Sequence, residues 1–407
     1  MVENATLEMP AIQPKLTAKL ASQPLRVAVL WRTPSLGLYS NATFDDLYTS
    51  IGHNNGNLAF VHAIASHISN PVKFFGWSVA AETLQNNADI IVIPCANQLG
   101  RHTDYGAMAE NLEKSGLPIV AIGLGAQADS YEHDIELSAG TLRWAQVIAG
   151  SNASSSSNIY TRGAFTSAQL DKLGITRSLA GGCPSYFMNQ GPGLGKKIHA
   201  SWTQSDLPRS ISVAAGHQGW TKTREIEHQL ISLMMDPIAP GQYVVQSMGE
   251  MIKASRGIFD GIDPQAIKAI HNHTVPHYSV EEFKIWCRNY MRSFYDVPAW
   301  MDTLRRQDLT IGCRYHGVAL ALQAERMGLT VTIDSRTREL CENTSVPYVD
   351  AAALTTPLTR ARLKKLINFD PEAYDKHRAE SAACYLDFLE ANRIQPAAFL
   401  KRIAAGK

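Results

Sequence analysis

The stretch from Asp308 to Asp334 reads DLTIGCRYHGVALALQAERMGLTVTID, and it decides the fold. A short apolar run predicts a buried strand, which leads directly into the polar residues Arg314 to Gly317. An alanine-rich helix follows, Gly328 is predicted to end it, and a second apolar strand begins. A strand, a helix and a second strand at this spacing are typical of a parallel sheet covered by helices.

The same alternation of short apolar runs and helical patterns extends in both directions along the chain. The predicted strands are Leu25–Trp31, Val72–Trp77, Ile90–Pro94, Pro118–Ile122, Asn158–Thr161, Ile211–Ala215, Gln242–Gln246, Leu309–Gly312, Leu329–Asp334 and Pro347–Val349. The predicted helices are Asn57–Ser69, Asp104–Ser115, Glu136–Ala149, Thr166–Leu173, Thr223–Met235, Val280–Phe294, Val318–Met327 and Arg360–Ile367. Glycine, proline and polar residues interrupt the alternation at 189–210, which indicates a linker between two α/β domains.

A chain of 407 residues is too long for one ordinary core, so two domains are expected. The predicted division is an N-terminal tail (1–24), a first domain (25–190), a linker (191–208), a second domain (209–367) and C-terminal helices (368–407). The C-terminal segment has apolar positions that need a surface to cover: Tyr374, Tyr385, Leu386, Phe388 and Leu389. We therefore expect these helices to pack back across the domain interface.

The composition is that of a soluble globular protein, with 45% hydrophobic and 18% charged residues. Lys and Arg together number 38 against 37 for Asp and Glu, so no basic field favours nucleic acid as a partner. The six cysteines form no C-x-x-C pair, which argues against a zinc site or a disulfide framework. No signal peptide or membrane-spanning stretch is recognisable, and a cytoplasmic location is expected.

Arg314 and His316 are the first candidates for a functional site, because they follow a strand and begin a helix. The carboxyl ends of strands in open α/β sheets bind ligands, and the amino end of a helix favours anions. Arginine adds a fork that matches carboxylate or phosphate, and histidine adds a group that titrates near neutral pH. The pattern indicates an anionic substrate that undergoes proton transfer. The alternative is that Arg314 pairs with a structural acid and His316 caps the helix.

Two glycine-containing loops of the first domain are candidate cleft segments. In the loop from Gly52 to Asn57 (GHNNGN), Asn57 is predicted to cap the following helix, and the asparagines Asn54, Asn55 and Asn57 are candidate ligand contacts. The residues Gly123-x-Gly125-x-x-Ala128 imitate a dinucleotide fingerprint, but no helix opens at once and no acid ends the next strand. We therefore reject NAD and interpret Gly125 and Gln127 as cleft residues.

Three further positions follow predicted strands. Arg162 ends a strand of the first domain, where an anion is expected. Cys183 lies in a Gly-Gly-Cys-Pro-Ser turn, and since no histidine can be paired with it from spacing, we interpret it as a buried structural thiol. His217 and Gln218 follow the first strand of the second domain, in the position of a phosphate-binding turn, and are candidate cleft residues.

Together these segments resemble the polysaccharide pyruvyltransferase family, over about residues 27–350. The segments that carry the resemblance are R-x-H with its helix and strand, the 52–57 loop, Gly-Leu-Gly-Ala-Gln at 123–127, the Arg162 strand end with L-x-x-L-G-I at 170–175, and Gly-Cys-Pro at 182–184. Three positions depart from the family pattern. Tyr315 replaces the usual leucine, and Asn57 and Gly163 stand where many members carry aspartate.

The resemblance implies a fold similar to GT-B glycosyltransferases, with two Rossmann-like domains facing across a cleft. It implies phosphoenolpyruvate as the pyruvyl donor and a sugar diol as the acceptor, on a surface polysaccharide or its lipid-linked precursor. The product would be a pyruvate ketal, and peripheral contact with the inner membrane surface fits such an acceptor. No cofactor and no metal are expected. By resemblance, the donor-binding residues are Arg162, Arg314, Tyr315, His316 and Gly317, and the catalytic residues are Arg314 and His316.

Two alternatives remain open from the sequence. A GT-B glycosyltransferase that uses a nucleotide sugar would need an acid for the ribose, and Asp334 and Glu342 lie near the right place. A relative without catalytic activity would bind an anionic saccharide and nothing more. Under the pyruvyltransferase hypothesis, His316 protonates either the methylene carbon of the donor or the departing phosphate.

Overall fold

A computed structural model describes residues 24–34, 42–127, 133–152, 156–354 and 357–406. Almost all of the predicted N-terminal tail and Ala128 of the rejected fingerprint lie outside the described residues.

The strands form two parallel sheets of six strands each. The first sheet has the order β2-β1-β3-β4-β5-β6 and the second the order β12-β11-β10-β7-β8-β9. The strands are β1 Val27–Leu30, β2 Val72–Phe75, β3 Ile90–Pro94, β4 Ile119–Leu124, β5 Ile159–Thr161, β6 Ser178–Ala180, β7 Ile211–Ala214, β8 Gln242–Val244, β9 Met291–Arg292, β10 Leu309–Gly312, β11 Met327–Thr332 and β12 Tyr348–Asp350. All six residues of β4 and of β11 are buried, as expected for a sheet covered on both faces.

Helices connect the strands and cover both sheets. They are α1 Phe44–Ser50, α2 Asn57–His67, α3 Ala81–Asn87, α4 Gly106–Ser115, α5 Ala139–Gly150, α6 Ala164–Lys172, α7 Leu194–Thr203, α8 Thr221–Met234, α9 Gly249–Ser255, α10 Pro264–Thr274, α11 Val280–Tyr290, α12 Val297–Leu304, α13 Tyr315–Gln323, α14 Ser335–Asn343, α15 Arg360–Leu366, α16 Pro371–Ala391 and α17 Ala398–Ala404. The predicted α/β class with two parallel sheets is confirmed.

The segment from Asp308 to Asp334 differs from its prediction in one detail. Helix α13 ends at Gln323, and Glu325 takes the left-handed conformation with φ +64°. Gly328 belongs to β11 instead of ending the helix, because a Cβ there would lie 2.7 Å from Val318 Cγ1. The glycine therefore lets the helix pack closely on the strand. Gly312 is needed where β10 ends, since a Cβ would lie 2.1 Å from Ala214 O of the neighbouring strand.

Two predicted segments are corrected by the structure. The 189–210 segment contains helix α7, whose buried residues Leu194, Ile198 and Trp202 are spaced by four and share one face. The surrounding glycines and prolines hide that periodicity in the sequence. Helix α11 ends at Tyr290 instead of Phe294, and the two-residue strand β9 follows it at the sheet edge. The predicted domain boundaries themselves stay predictions.

The C-terminal helices return to the first sheet, as expected. Tyr385 of α16 lies 5.0 Å from the ring of Tyr160 in β5. The buried Arg378 donates hydrogen bonds to the carbonyl oxygens of Tyr186 (3.2 Å) and Gly191 (2.9 Å). The chain thus leaves the second sheet after β12 and ties both halves together.

Candidate active site

The carboxyl ends of the two sheets meet at a small polar cavity of about 80 Å³. Its walls are Asn54, Asn57, Ala96, Asn97, Arg162, Trp220, Gln246, Cys313, Arg314, Tyr315, His316, Arg336, Thr337 and Leu340. Six of the predicted site residues are thus brought together from positions more than 250 residues apart. Their roles remain predictions.

Arg162 is held rigidly at the end of β5. The residue is only 4% exposed, its Nε donates to Gly123 O at 3.0 Å, and its Nη1 donates to Asn97 Oδ1 at 2.7 Å. Gly125 leaves room for it, since a Cβ there would lie 2.7 Å from Arg162 Cδ. The two glycines of the rejected fingerprint therefore orient an arginine, and the interpretation of Gly125 as a cleft residue stays a prediction. Burial lowers the pKa of the Arg162 guanidinium from its usual value.

Arg314 occupies the matching position at the end of β10, but it is bound less completely. Its Nη2 donates to Ser247 Oγ, and its guanidinium lies 4.8 Å over the Trp220 ring. Among the described residues, the buried Nε has no hydrogen-bond partner. Burial, followed by the charge of Arg336, lowers the pKa of Arg314 to about 10, so it stays charged at neutral pH. An anion in the cavity would satisfy this donor.

Arg336 is a third cation that the sequence analysis missed. It lies in the first turn of α14, where it pairs with Asp334 Oδ2 at 3.0 Å and donates to Gln127 Oε1 at 3.5 Å. Gln127 is therefore used to join the two halves of the cleft. The missed signal was available, because Arg336 follows β11 at the start of a helix, just as Arg314 follows β10.

His316 lies in the first turn of α13 with its two ring nitrogens in different surroundings. Its Nε2 is 3.5 Å from Cys183 Sγ, and its ring centroid is 5.8 Å from that of Phe60. Burial, with the charges of Arg162 and Arg336, lowers the pKa of His316 to about 3. The imidazole is therefore neutral at physiological pH unless an anion binds beside it. The alternative interpretation, a helix cap, is not supported, since Arg314 is the N-cap residue and no side chain caps α13.

The turn at Cys183 supplies the partner that spacing could not reveal. Cys183 is buried, as expected, and burial raises the pKa of its thiol. However, it lies beside His316 and also contacts Ser185 Oγ at 3.1 Å. The histidine that spacing alone could not pair with Cys183 is therefore His316.

The 52–57 loop docks on the second sheet. Asn55 is fully buried, its N–H donates to Gln246 O at 2.7 Å, and its side chain donates to Phe294 O. Asn57 does not cap α2, whose N-cap is Gly56. Its side-chain amide donates instead to Ile51 O at 2.9 Å. An aspartate at position 57 would lack this donor.

The tip of this loop encloses a small polar space. A Cβ on Gly56 would lie 2.7 Å from Gln246 Oε1, 3.0 Å from Asn54 Oδ1 and 3.3 Å from His316 Nδ1. Gln246, which the sequence indicates only as a strand end, is 2% exposed, and its Nε2 has no partner among the described residues. Three polar groups thus converge where a ligand oxygen would find both donors and acceptors.

Other predicted residues are used differently from expectation. His217 Nδ1 accepts from Gly219 N at 2.8 Å, and the Gly216 N–H donates to the buried carboxylate of Glu227. One N–H group of this turn is therefore already hydrogen-bonded to a carboxylate and is not free for a ligand. Trp220 lines the cavity, whereas His217 and Gln218 do not.

The residues that flank His316 are fixed by packing. Tyr315 is in the cavity wall, but its hydroxyl group contacts Thr344 Oγ1 at 2.8 Å. A Cβ on Gly317 would lie 2.6 Å from Gln246 Nε2, so glycine lets this side chain approach α13.

Helix α14 lies directly against Gly163. A Cβ on Gly163 would lie 2.3 Å from Asn343 Nδ2 and 2.6 Å from Glu339 Cγ. The carboxylate of Glu339 accepts from the backbone N–H and the hydroxyl of Thr166, both at 3.0 Å. Burial raises the pKa of Glu339. Glu339, which belongs to the second half of the molecule, thus lies beside the turn that contains Arg162 and Gly163.

Two features are absent from the described residues. No group of three or more His, Cys, Asp or Glu side chains in the described ranges is arranged to hold a metal ion. Across the same part of the chain, no helix is both long and apolar enough to cross a bilayer.

Two parallel, Rossmann-like sheets whose carboxyl ends share one cationic cavity define a two-domain α/β protein of GT-B-like architecture. The family model for polysaccharide pyruvyl transferase matches residues 24–334. The chain therefore belongs to the polysaccharide pyruvyl transferase family.

Comparison with solved structures returns distant likenesses, of which two follow. UGT73P12 of Glycyrrhiza uralensis, solved with glycyrrhetinic acid 3-O-monoglucuronide, is 11% identical with a TM-score of 0.37, over 94% of this chain and 91% of that one. The glycotransferase of kitacinnamycin is 9% identical with a TM-score of 0.32, over 94% and 98%. These scores are too low to carry an argument. The comparison with curated proteins returned no match.

Proposed function

We propose that this protein transfers the pyruvyl group of phosphoenolpyruvate to two hydroxyl groups of a saccharide, forming a cyclic ketal and releasing phosphate. The observation that carries the proposal is the convergence of Arg162, Arg314 and Arg336 with His316 on one small polar cavity. The donor carries a carboxylate and a phosphate, so it needs several cations, and family membership supplies the transferase class.

The donor would lie between the two sheets. Arg162 is already oriented by Gly123 O and Asn97, and it offers its remaining N–H groups to one anionic group. Arg314 has an unpartnered Nε and offers it to the other. Arginines and helix amino ends would stabilise the negative charge that develops on the departing phosphate.

Ketal formation requires one proton on the methylene carbon and the loss of two from the acceptor. Protonation of the methylene carbon makes C2 electrophilic, a saccharide hydroxyl oxygen bonds to C2 while its proton replaces the one given to the carbon, and the C2–O bond to phosphate breaks. A second hydroxyl then closes the ring, and its proton leaves with the phosphate or with solvent.

We assign proton transfer to His316 Nδ1, because this nitrogen faces the space beside Gly56 while Nε2 faces Cys183. The imidazole is neutral without a bound anion, and the negative charge of the donor raises its pKa toward the range where it can give a proton. The same argument serves protonation of the methylene carbon or of the leaving phosphate.

The nucleotide-sugar alternative has less support. Asp334 accepts from Thr337 N at 2.8 Å as the cap of α14 and pairs with Arg336. Glu342 is bonded to Arg338 and Tyr348 at the surface. Both candidate ribose acids are therefore engaged elsewhere.

The test is to incubate the protein with phosphoenolpyruvate and a panel of aryl glycosides and to measure product masses and released phosphate. We expect the mass of a pyruvate ketal and one phosphate per transfer. A thermal-shift screen separates the alternatives, since phosphoenolpyruvate should stabilise the protein whereas UDP and GDP should not. Stabilisation by a nucleotide alone would overturn the proposal.

Gly56→Ala provides a matched inactive control. Gly56 has φ −58°, so alanine is compatible with the backbone, but its methyl group would occupy the space between Gln246 and His316. We expect the variant to fold and to lose transfer.

A further inference from the structure

A second recess lies along the carboxyl ends of β1 and β2, separate from the cationic cavity. It consists of two adjoining hollows of about 340 and 600 Å³. Both are lined by Trp31, Arg32, Ser50 and Gly76, and we call this recess the Trp31 groove. Trp77 and Gly52 line one hollow, and Phe74 and Phe75 line the other.

The groove contains a buried polar atom without a partner. Trp31 is 5% exposed, and its indole Nε1 has no hydrogen-bond partner among the described residues. A buried donor of this kind costs free energy unless an acceptor reaches it. The neighbouring Trp77 is satisfied by contrast, because its Nε1 donates to Leu30 O at 3.0 Å. The indole N–H groups of Trp144 and Trp300 also have no partner among the described residues, but of the three only Trp31 lines the groove, where the acceptor oxygen of a ligand would satisfy it.

The other groups in the groove match the two faces of a sugar ring. Trp31 and Trp77 stand nearly perpendicular, with ring centroids 5.4 Å apart and an interplanar angle of 75°. Aromatic rings offer apolar surface to the C–H face of a pyranose. Arg32 is exposed, and within the described ranges its single hydrogen bond goes to Ser50 Oγ at 2.8 Å. Its other N–H groups suit ring hydroxyls or an acidic substituent.

The groove is connected to the cavity through the 52–57 loop. Gly52 lines the groove, Asn57 lines the cavity, and the Asn57 amide lies 3.4 Å from Gly52 O. The ring of Phe60 is 5.8 Å from Trp31 on one side and 5.8 Å from His316 on the other. Trp31 and His316 therefore lie on opposite sides of one buried ring, and a saccharide in the groove would pass over the 52–57 loop to reach His316.

We propose that the Trp31 groove binds a pyranose of the saccharide acceptor, with a ring or hydroxyl oxygen accepting from Trp31 Nε1. That the saccharide is an acceptor rests on the proposed function, but saccharide binding itself is measured without phosphoenolpyruvate. The bound sugar would be next to the one that receives the pyruvyl group.

The test follows the indole N–H signals of the seven tryptophans by NMR while methyl glycosides are added. Trp31→Phe identifies the Trp31 signal. We expect methyl glycosides to shift that signal, because a new hydrogen bond forms at Nε1. The assignment would be overturned if no methyl glycoside shifted the Trp31 signal. It would also be overturned if p-nitrophenol, an aromatic compound without a sugar, were the only compound that shifted it.

Gly76→Leu blocks the groove without removing any side chain. A Cβ at Gly76 would meet no described heavy atom within 4 Å, so leucine would project into open space. We expect saccharide affinity to fall about tenfold while phosphoenolpyruvate affinity is unchanged. Gly150→Leu is the control, since it also has open space but lies at the end of α5. Unchanged saccharide affinity in Gly76→Leu and in Arg32→Ala would refute the groove.

The two proposals fail separately. If saccharides bind at Trp31 but no pyruvyl transfer is detected, the proposed function is refuted and the saccharide site in the groove is retained. If pyruvyl transfer is detected but Gly76→Leu leaves the KM for the acceptor unchanged, the proposed function is retained and the saccharide site in the groove is refuted.

Discussion

The turns that carry Arg162 and Arg314 occupy equivalent positions in their sheets, yet they hold their guanidinium groups differently. Each arginine follows a buried strand and precedes a helix. Arg162 donates to Gly123 O and Asn97 Oδ1, so the protein fixes its position. Arg314 donates to Ser247, stacks on Trp220 and retains a buried Nε without a described partner. The protein thus fixes the guanidinium of Arg162, whereas the guanidinium of Arg314 keeps a buried N–H that no described residue accepts.

The largest expected effect concerns His316, which belongs to the Arg314 turn. We expect His316→Gln to lower the turnover number by about 10²–10⁴-fold, because general acid catalysis is worth that factor. Donor affinity should change little, since glutamine is neutral like the imidazole before the donor binds. Turnover, donor affinity and melting temperature are measured on one preparation. Substantial activity in a merely destabilised variant would show that His316 is a structural residue.

The next prediction separates the two arginines. Arg314→Ala should weaken donor binding by about ten- to a hundredfold, the value of a charged hydrogen bond, with little loss of stability. Arg162→Ala should weaken donor binding similarly and also lower the free energy of unfolding by about 1–3 kcal/mol, because Gly123 O and Asn97 lose their buried donor.

Calorimetric titration with phosphoenolpyruvate and chemical unfolding measure the two effects. Arg314→Lys is the matched control, as it keeps the charge but loses the planar fork. Equal stability losses in the two alanine variants would remove the contrast between the turns. Wild-type donor affinity in either one would end its anchoring role.

A smaller effect is expected in the pH dependence of stability. His316 has a folded-state pKa of about 3, below the value of 6.5 for an unfolded chain. The contribution of the neutral His316 to the free energy of unfolding is therefore complete above pH 6.5. It is lost as pH falls from 6.5 toward 3, because the unfolded chain binds a proton that the folded protein does not. At pH 5 the wild type should have lost about 2 kcal/mol relative to His316→Gln. The buried His67 has a similarly lowered pKa but is present in both proteins, so it cancels. Parallel stability curves for the two proteins would contradict a depressed pKa.

Arg162, Arg314 and His316 could be predicted as cavity residues from the sequence, because the position of a residue just after a buried strand is visible there. Arg336 obeys the same rule, since it follows β11 and begins a helix, but it is not among the predicted site residues. Gln246 also stands at a predicted strand end, but the sequence does not show what it faces. Its importance comes from the docking of the 52–57 loop, a contact between segments about 190 residues apart.

The Cys183–His316 contact is unpredictable for the same physical reason. The two residues are 133 positions apart and are joined only when the carboxyl ends of both sheets meet. Local propensity likewise failed at α7, where glycines and prolines hid a four-residue apolar spacing. The periodicity of strands and helices and the position of a residue at a strand end are local properties of a sequence, whereas the second wall of a cleft is set by tertiary packing.

The smallest predicted effect tests the support around the Arg162 turn. Gly163→Ala should lower the free energy of unfolding by about 1 kcal/mol, the lower end of the cost of an inserted methyl group. The reason is that the new Cβ would collide with Asn343 Nδ2 and Glu339 Cγ, and both belong to a helix of the second sheet. Gly150→Ala is the control, because it meets nothing within 4 Å and should be neutral or slightly stabilising. Because Glu339 also binds Thr166 at the start of α6, displacing it should disturb Arg162 and raise the donor KM modestly. Full stability and an unchanged donor KM in Gly163→Ala would mean that α14 yields without cost and that the Arg162 turn owes its rigidity to the first sheet alone.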